Sequence, residues 1–119
     1  MDDKKQELID LSEYENDFTK KYIPIIVDRF HKCQYSDVVE IEIPEQSIQG
    51  RSTYRFSMIE TQDDYSFFVG FVKEDGEEEY FATPFLEKDV IDMSIPITDY
   101  LDNLIAVGIC VAFDDNQEY

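Results

Sequence analysis

Between Leu8 and Cys33, apolar side chains recur at Leu8, Leu11, Tyr14, Phe18, Tyr22, Ile26, Phe30 and Cys33, at intervals of three and four. That spacing draws one stripe along a helix and predicts a helical segment over 4–33. Pro24 interrupts it. Proline removes a helical N–H and disfavours helical geometry at Ile23, so the segment is expected to kink there or to split into helices near 4–22 and 24–33. Ser12 followed by Glu15 offers a capping box within this range.

From Val38 the period changes to two. VVEIEI places Val39, Ile41 and Ile43 on one face with Glu40 and Glu42 on the other, the pattern of a half-buried strand. Pro44 ends it. Residues 51–60 alternate again, with Tyr54, Phe56 and Met58 facing one way, and TQDD at 61–64 is turn chemistry. Residues 65–73 are apolar on both faces, which predicts a central strand covered on both sides or one that forms an oligomer contact. Asp75-Gly76 between two extended runs predicts a hairpin with a type I′ turn.

Beyond Pro84, Thr98 is an N-cap candidate for a short helix near 98–104, and IAVGICVAF at 105–113 reads as a last, buried strand. Residues 114–119 form an acidic tail. The fold expected is α+β: a single domain over 1–119, with the N-terminal helix on a mostly antiparallel sheet of about five strands within 37–113, and a short helix before the last strand.

Charge alters this picture more than composition does. The chain has 119 residues, 43 % of them apolar, enough for a real core. Its formal net charge is −18, beyond the ~2 to 8 units that solubility asks of a small domain. The imbalance is uneven. Residues 1–34 hold eight acids against six bases, whereas residues 35–119 hold twenty acids against four bases. Such a field repels nucleic acid and anionic membranes and draws in basic partners. The N-terminus has no apolar leader stretch, no run approaches a bilayer span, and Cys33 and Cys110 read as reduced thiols, so a cytoplasmic protein is expected.

The residues offer no catalytic or cofactor constellation. His31 is the only histidine and stands two positions from Cys33, so on a helix the two face apart and make neither a metal pair nor a Cys–His couple. Glycines at 50, 70, 76 and 108 match no phosphate-binding loop. The acidic stretch around Asp75-Gly76 lacks the ligand spacing of an EF-hand. No cofactor, no metal and no enzymatic activity are expected.

An acidic binding module remains, facing a protein with a basic surface such as a nuclease, toxin or DNA-handling enzyme, without direct nucleic-acid or membrane contact. Glu40 and Glu42 on one strand, Asp63 and Asp64 in a turn, and Glu74, Asp75, Glu77, Glu78 and Glu79 at the hairpin are the candidate contacts. They would form one row if the loops share an edge. In size and charge the chain is similar in general character to small acidic inhibitors of nucleic-acid enzymes, such as immunity proteins and phage anti-defence proteins. The alternative is a structural or regulatory subunit that homo-oligomerises through its apolar strand and helix faces.

Overall fold

The computed structural model describes residues 7–44, 52–73 and 75–113. The chain forms α1 (Asp17–Lys32), β1 (Val39–Glu42), β2 (Thr53–Glu60), β3 (Asp64–Val72), β4 (Glu78–Ala82), β5 (Phe85–Glu87), a 3-10 turn (Lys88–Val90) and α2 (Ile97–Ala112). It is an α+β fold, two helices on a five-stranded antiparallel sheet.

Helix α1 starts later than the apolar stripe suggests. Asn16 caps it: its side chain accepts from the Thr19 amide at 2.8 Å while the Thr19 hydroxyl accepts from the Asn16 amide at 2.8 Å. The Asn16 side-chain amide also donates to the Phe113 carbonyl at 3.1 Å, so the cap is held by the end of α2 as well. Ser12 and Glu15 do not form the expected box. Leu11 to Glu15 instead make a single turn on the Leu11 carbonyl. The helical reading of 4–33 is corrected to 17–32, and residues 4–6 lie outside the described residues.

Pro24 sits inside α1 without dividing it. A proline in a helix interior costs ~3 kcal/mol. Against that, Tyr22, Ile26 and Phe30 are buried on one stripe, each contributing ~1.5 to 3 kcal/mol. The summed burial exceeds the local cost, and the helix continues.

The sheet order is β1-β2-β3-β4, with β5 pairing on the early half of β3. The alternation places residues as expected. Val39, Ile43, Tyr54, Phe56, Phe67, Val69 and Phe71 are buried under the helices, with Ile41 and Met58 packed beside them. The β3–β4 hairpin forms, with a different turn: Lys73 donates to Glu77, Gly76 donates to Lys73, and Gly76 takes φ 88° while Asp75 does not take a positive φ. A type I′ turn needs positive φ at both central positions. Among the described residues of the turn, glycine alone takes the left-handed conformation.

The largest correction concerns 98–113. Residues 105–113 do not form a last strand. Residues 105–112 continue the helix that begins at Ile97, with Phe113 as its C-cap, making the expected short helix a 16-residue one, and the last strand is β5, which precedes it. Pro96 rather than Thr98 occupies the N-cap, with no side-chain cap. A continuous apolar run fits a strand covered on both faces or a helix buried nearly all round, and periodicity alone does not separate them. Here α2 is covered by the sheet and α1, with residues 9–14 alongside, and Asn103 clamps Ile9 by two hydrogen bonds of 2.9 Å.

Helix α2 approaches the sheet through Gly108. A Cβ there would lie 2.4 Å from the buried Phe67 ring and 3.2 Å from Pro84. Replacing Gly108 with alanine gains ~1 kcal/mol of helix propensity but forces apart a fully packed ring. Gly108→Ala is therefore expected to lower stability by roughly 1 to 3 kcal/mol in denaturant unfolding. Pro24→Ala, at an exposed position, is expected to raise stability by up to ~3 kcal/mol less the ~0.4 to 1 kcal/mol of chain stiffness that proline confers on the unfolded state.

Candidate functional site

Both helices lie over one face of the sheet, and among the described residues no helix covers the opposite face. The period-two alternation decides which side chains it carries. Glu40 and Glu42 come from β1, Arg55, Ser57 and Ile59 from β2, Phe68 and Gly70 from β3, and Glu78 and Tyr80 from β4.

One row crosses four strands: Glu40 is in register with Arg55, Arg55 with Gly70, and Gly70 with Tyr80. Gly70 leaves its place in that row empty, and a Cβ there would sit 2.2 Å from the Glu79 carbonyl oxygen. Arg55 therefore reaches in both directions. Its Nε lies 2.7 Å from Glu40 Oε1, a charge contact not aligned as a hydrogen bond, and its Nη1 donates to Glu78 Oε1 at 2.6 Å. The strands of these two glutamates are three sheet intervals apart, ~14 Å. Glu78 also accepts a hydrogen bond from the Tyr80 hydroxyl, which is the first cause raising that phenol's pKa, with burial second. Two carboxylates, a guanidinium and a phenol thus hold one another in place.

Beside this cluster the face is apolar. The Tyr80 ring packs against Phe68 with centroids 5.2 Å apart. A shallow groove lined by Val38, Arg55, Ser57, Ile59 and Tyr80 runs across β2. Val38, Ile59 and Tyr80 are each nearly half exposed, and Phe85, in register with Ser66, is 62 % exposed. Aromatic and aliphatic groups on an open sheet, edged by carboxylates, have the make-up of a protein contact surface.

The expected single row of carboxylates divides. Glu40 and Glu78 meet at Arg55, and Glu42 stands one step along β1, in register with Thr53. Glu79 pairs with Lys73 at 3.4 Å. Asp75 and Glu77 shape the hairpin tip, the Asp75 carboxylate accepting from the Glu77 amide at 3.0 Å. Glu74 lies outside the described residues. Asp63 and Asp64 belong to the far end of the sheet: β3 runs from Asp64 to Val72, so some eight steps, ~26 Å, separate them from the hairpin tip. They sit instead beside Glu87, Lys88 and Asp89.

Arg55, Phe68, Gly70 and Tyr80 were not among the expected site residues. The one signal for Arg55 is its position among four bases in 35–119, on the outward phase of β2. The described bases of that region are all paired: Arg55 with Glu40 and Glu78, Lys73 with Glu79, and Lys88 with Glu60 at 2.6 Å.

A second cluster joins the helices. His31 Nε2 lies 2.8 and 2.9 Å from the two Asp102 oxygens, and Tyr35 donates to Asp102 Oδ1 at 2.6 Å. Gln34 and Tyr35, just after α1, both adopt left-handed backbone, φ 55° and 60°. That conformation costs roughly 1 to 2 kcal/mol per non-glycine residue. It brings the Tyr35 amide onto the Phe30 carbonyl at 2.9 Å and its phenol onto Asp102. Cys33 turns back toward the Phe30 carbonyl, and both cysteines are free thiols. Among the described residues, no group of three or more His, Cys, Asp or Glu side chains is placed to hold a metal ion, and no helix is long and apolar enough to cross a membrane.

Comparison with protein-family models, curated proteins and solved structures found no match to this chain.

Burial and then the hydrogen bond to Asp102 push the Tyr35 phenol well above its ordinary value. A folded pKa raised above the unfolded ~10 stabilises the protein fully below that pH, and the contribution is lost as pH climbs toward the folded value. Spectrophotometric titration is expected to show Tyr35 ionising after the unperturbed tyrosines. Tyr35→Phe is expected to cost about 1.5 to 3 kcal/mol near neutral pH, the worth of a hydrogen bond to a charged group. Its deficit relative to the unaltered protein should shrink above pH ~10. A deficit constant with pH in urea melts would show that Asp102 does not govern this phenol.

Proposed function

We propose that this protein is an acidic binding module that inhibits a nucleic-acid-acting enzyme or toxin by occupying its basic surface, in the manner of an immunity or anti-defence protein. It acts by binding, without catalysis or cofactor, and in the cytoplasm. The observation that carries this reading is the pairing of Arg55, Lys73 and Lys88 within the protein's own surface, which leaves a large excess of carboxylates to face the partner. Glu40 and Glu42 are two residues apart on one strand, ~6.7 Å, close to two steps of a DNA strand at ~3.4 Å each. A nucleic-acid cleft that is built to collect phosphates meets here one carboxylate for every second phosphate position of a strand. The protein itself is a poor nucleic-acid ligand, because duplex affinity comes largely from cations that displace counterions.

A second reading is favoured by a separate observation. Leu8, Ile9, Tyr14 and Val111 lie 41 to 65 % exposed around the outer side of α2 and the segment clamped to it. Under that reading the chain is a structural or regulatory subunit that self-associates there.

Salt separates the two. Affinity capture from the native cell with mass spectrometry is expected to return a basic nucleic-acid enzyme, with association slowing roughly tenfold or more between ~0.02 and ~0.15 M salt. Glu42→Lys with Glu77→Lys, positions in no ion pair among the described residues, should abolish that capture and leave the circular dichroism spectrum unchanged. Capture that survives this double reversal removes Glu42 and Glu77 from the contact, whereas size-exclusion chromatography showing an oligomer that tightens as salt rises favours the subunit reading instead.

A further inference from the structure

The proposed function says what sign of charge the partner carries, and the open sheet face says more. Along β2 the outward positions run Ile59, Ser57, Arg55 and Thr53, and the face changes character in that direction. At the Ile59 end stand Ile59, Val38, Phe68 and Phe85, with Asp37 at the groove's rim and Asp64 and Glu87 one outward step beyond Phe85. At the Thr53 end stand Glu42, Glu40 and Glu78, with Tyr80 between the two halves. Apolar and acidic halves are therefore contiguous, and their centres are two to four residues apart along a strand, ~7 to 13 Å.

We infer that this face binds a protein segment in which basic side chains flank an apolar one, the bases meeting Glu40, Glu42 and Glu78 while the apolar group seats on Ile59, Phe68 and Tyr80. The inference rests on the proposed function and specifies its partner chemistry. Charge complementarity selects this occupant. A second copy carries the same net charge of −18, and like charges across an interface are costly. Nucleic acid and anionic membranes carry the wrong sign.

Arg55 leaves the acidic half negative, because its single charge offsets only one of the three on Glu40, Glu42 and Glu78. It holds Glu40 and Glu78 in position before binding, which lowers the ordering cost of association. The apolar half supplies what charge alone lacks. Acidic rims mainly set association rate and orientation, whereas desolvated aromatic anchors carry most of the affinity.

The test uses the isotopically labelled full chain at low salt and two blocked synthetic peptides with the same number of lysines. In one the lysines alternate with isoleucine and phenylalanine, and in the other with glycine and serine. The apolar peptide is expected to bind about tenfold or more tightly. Its amide shift changes should concentrate on Ile59, Phe68, Gly70 and Tyr80. Ile59→Ser with Tyr80→Ala removes exposed apolar groups and keeps every carboxylate; it is expected to bring the two peptides to equal affinity.

Equal affinity for the unaltered protein overturns this inference and leaves the charge-based function standing. Shifts confined to α2 or to the outer edge of β1 overturn it too, since the peptide then lies elsewhere. Failure of both peptides to bind at low salt overturns this inference and the proposed function together.

Discussion

The fold turns on the ring of Phe67. This fully buried residue of β3 stacks on Phe56 of β2 at 6.2 Å, meets Phe30 of α1 edge-on at 5.8 Å, and lies against Gly108 of α2. One inward position of the central strand therefore joins the sheet to both helices. Each aromatic pair adds ~0.5 to 1.5 kcal/mol beyond its area. The glycine matters because it lets α2 come to the ring itself. With both helices drawn to that side, no helix among the described residues covers the alternating positions on the other side.

The open face follows from this asymmetry. An ordinary solvent-facing sheet alternates inward apolar groups with scattered polar ones. This one carries Phe68, Tyr80, Ile59 and Phe85 outward, and it sets a guanidinium between two carboxylates across a glycine gap. Exposed ion pairs on a surface contribute little to stability, ~0 to 1 kcal/mol each. The Glu40–Arg55–Glu78 arrangement is better understood through geometry than through energy. It spends the local cation internally, fixes two anions, and leaves the long-range field of the chain negative.

The ends of the described chain are tied into this frame by short-range polar contacts. Asn16 caps α1 and reaches the Phe113 carbonyl just beyond α2, while Asn103 clamps Ile9 along the outer side of α2. The His31–Asp102–Tyr35 cluster joins the far end of α1 to α2. Two consecutive left-handed residues persist there because the surroundings hold them: the phenol donates to Asp102, the ring meets Phe30 and His31, and the Tyr35 amide donates a hydrogen bond to the Phe30 carbonyl.

Periodicity was enough for the stripe of α1, the inward faces of β1, β2 and β3 and the α+β class, and the Asp75-Gly76 dipeptide was enough for the hairpin. These depend on where successive side chains point, which is a local property of the backbone. The charge imbalance beyond residue 34 was equally open to reading, since a sum needs no coordinates. Other features needed neighbours distant in sequence. Asn16 prevailed as the cap because Phe113 also holds it, and 105–112 became helix because the sheet, α1 and residues 9–14 surround it. Asp63 and Asp64 were carried away from the hairpin tip by the length of β3. Arg55 acquired its two glutamates only because strand order placed Gly70 between β2 and β4. Side-chain direction is set residue by residue along the chain, whereas which carboxylate faces which cation is set by register between strands, and that exists only once the sheet has formed.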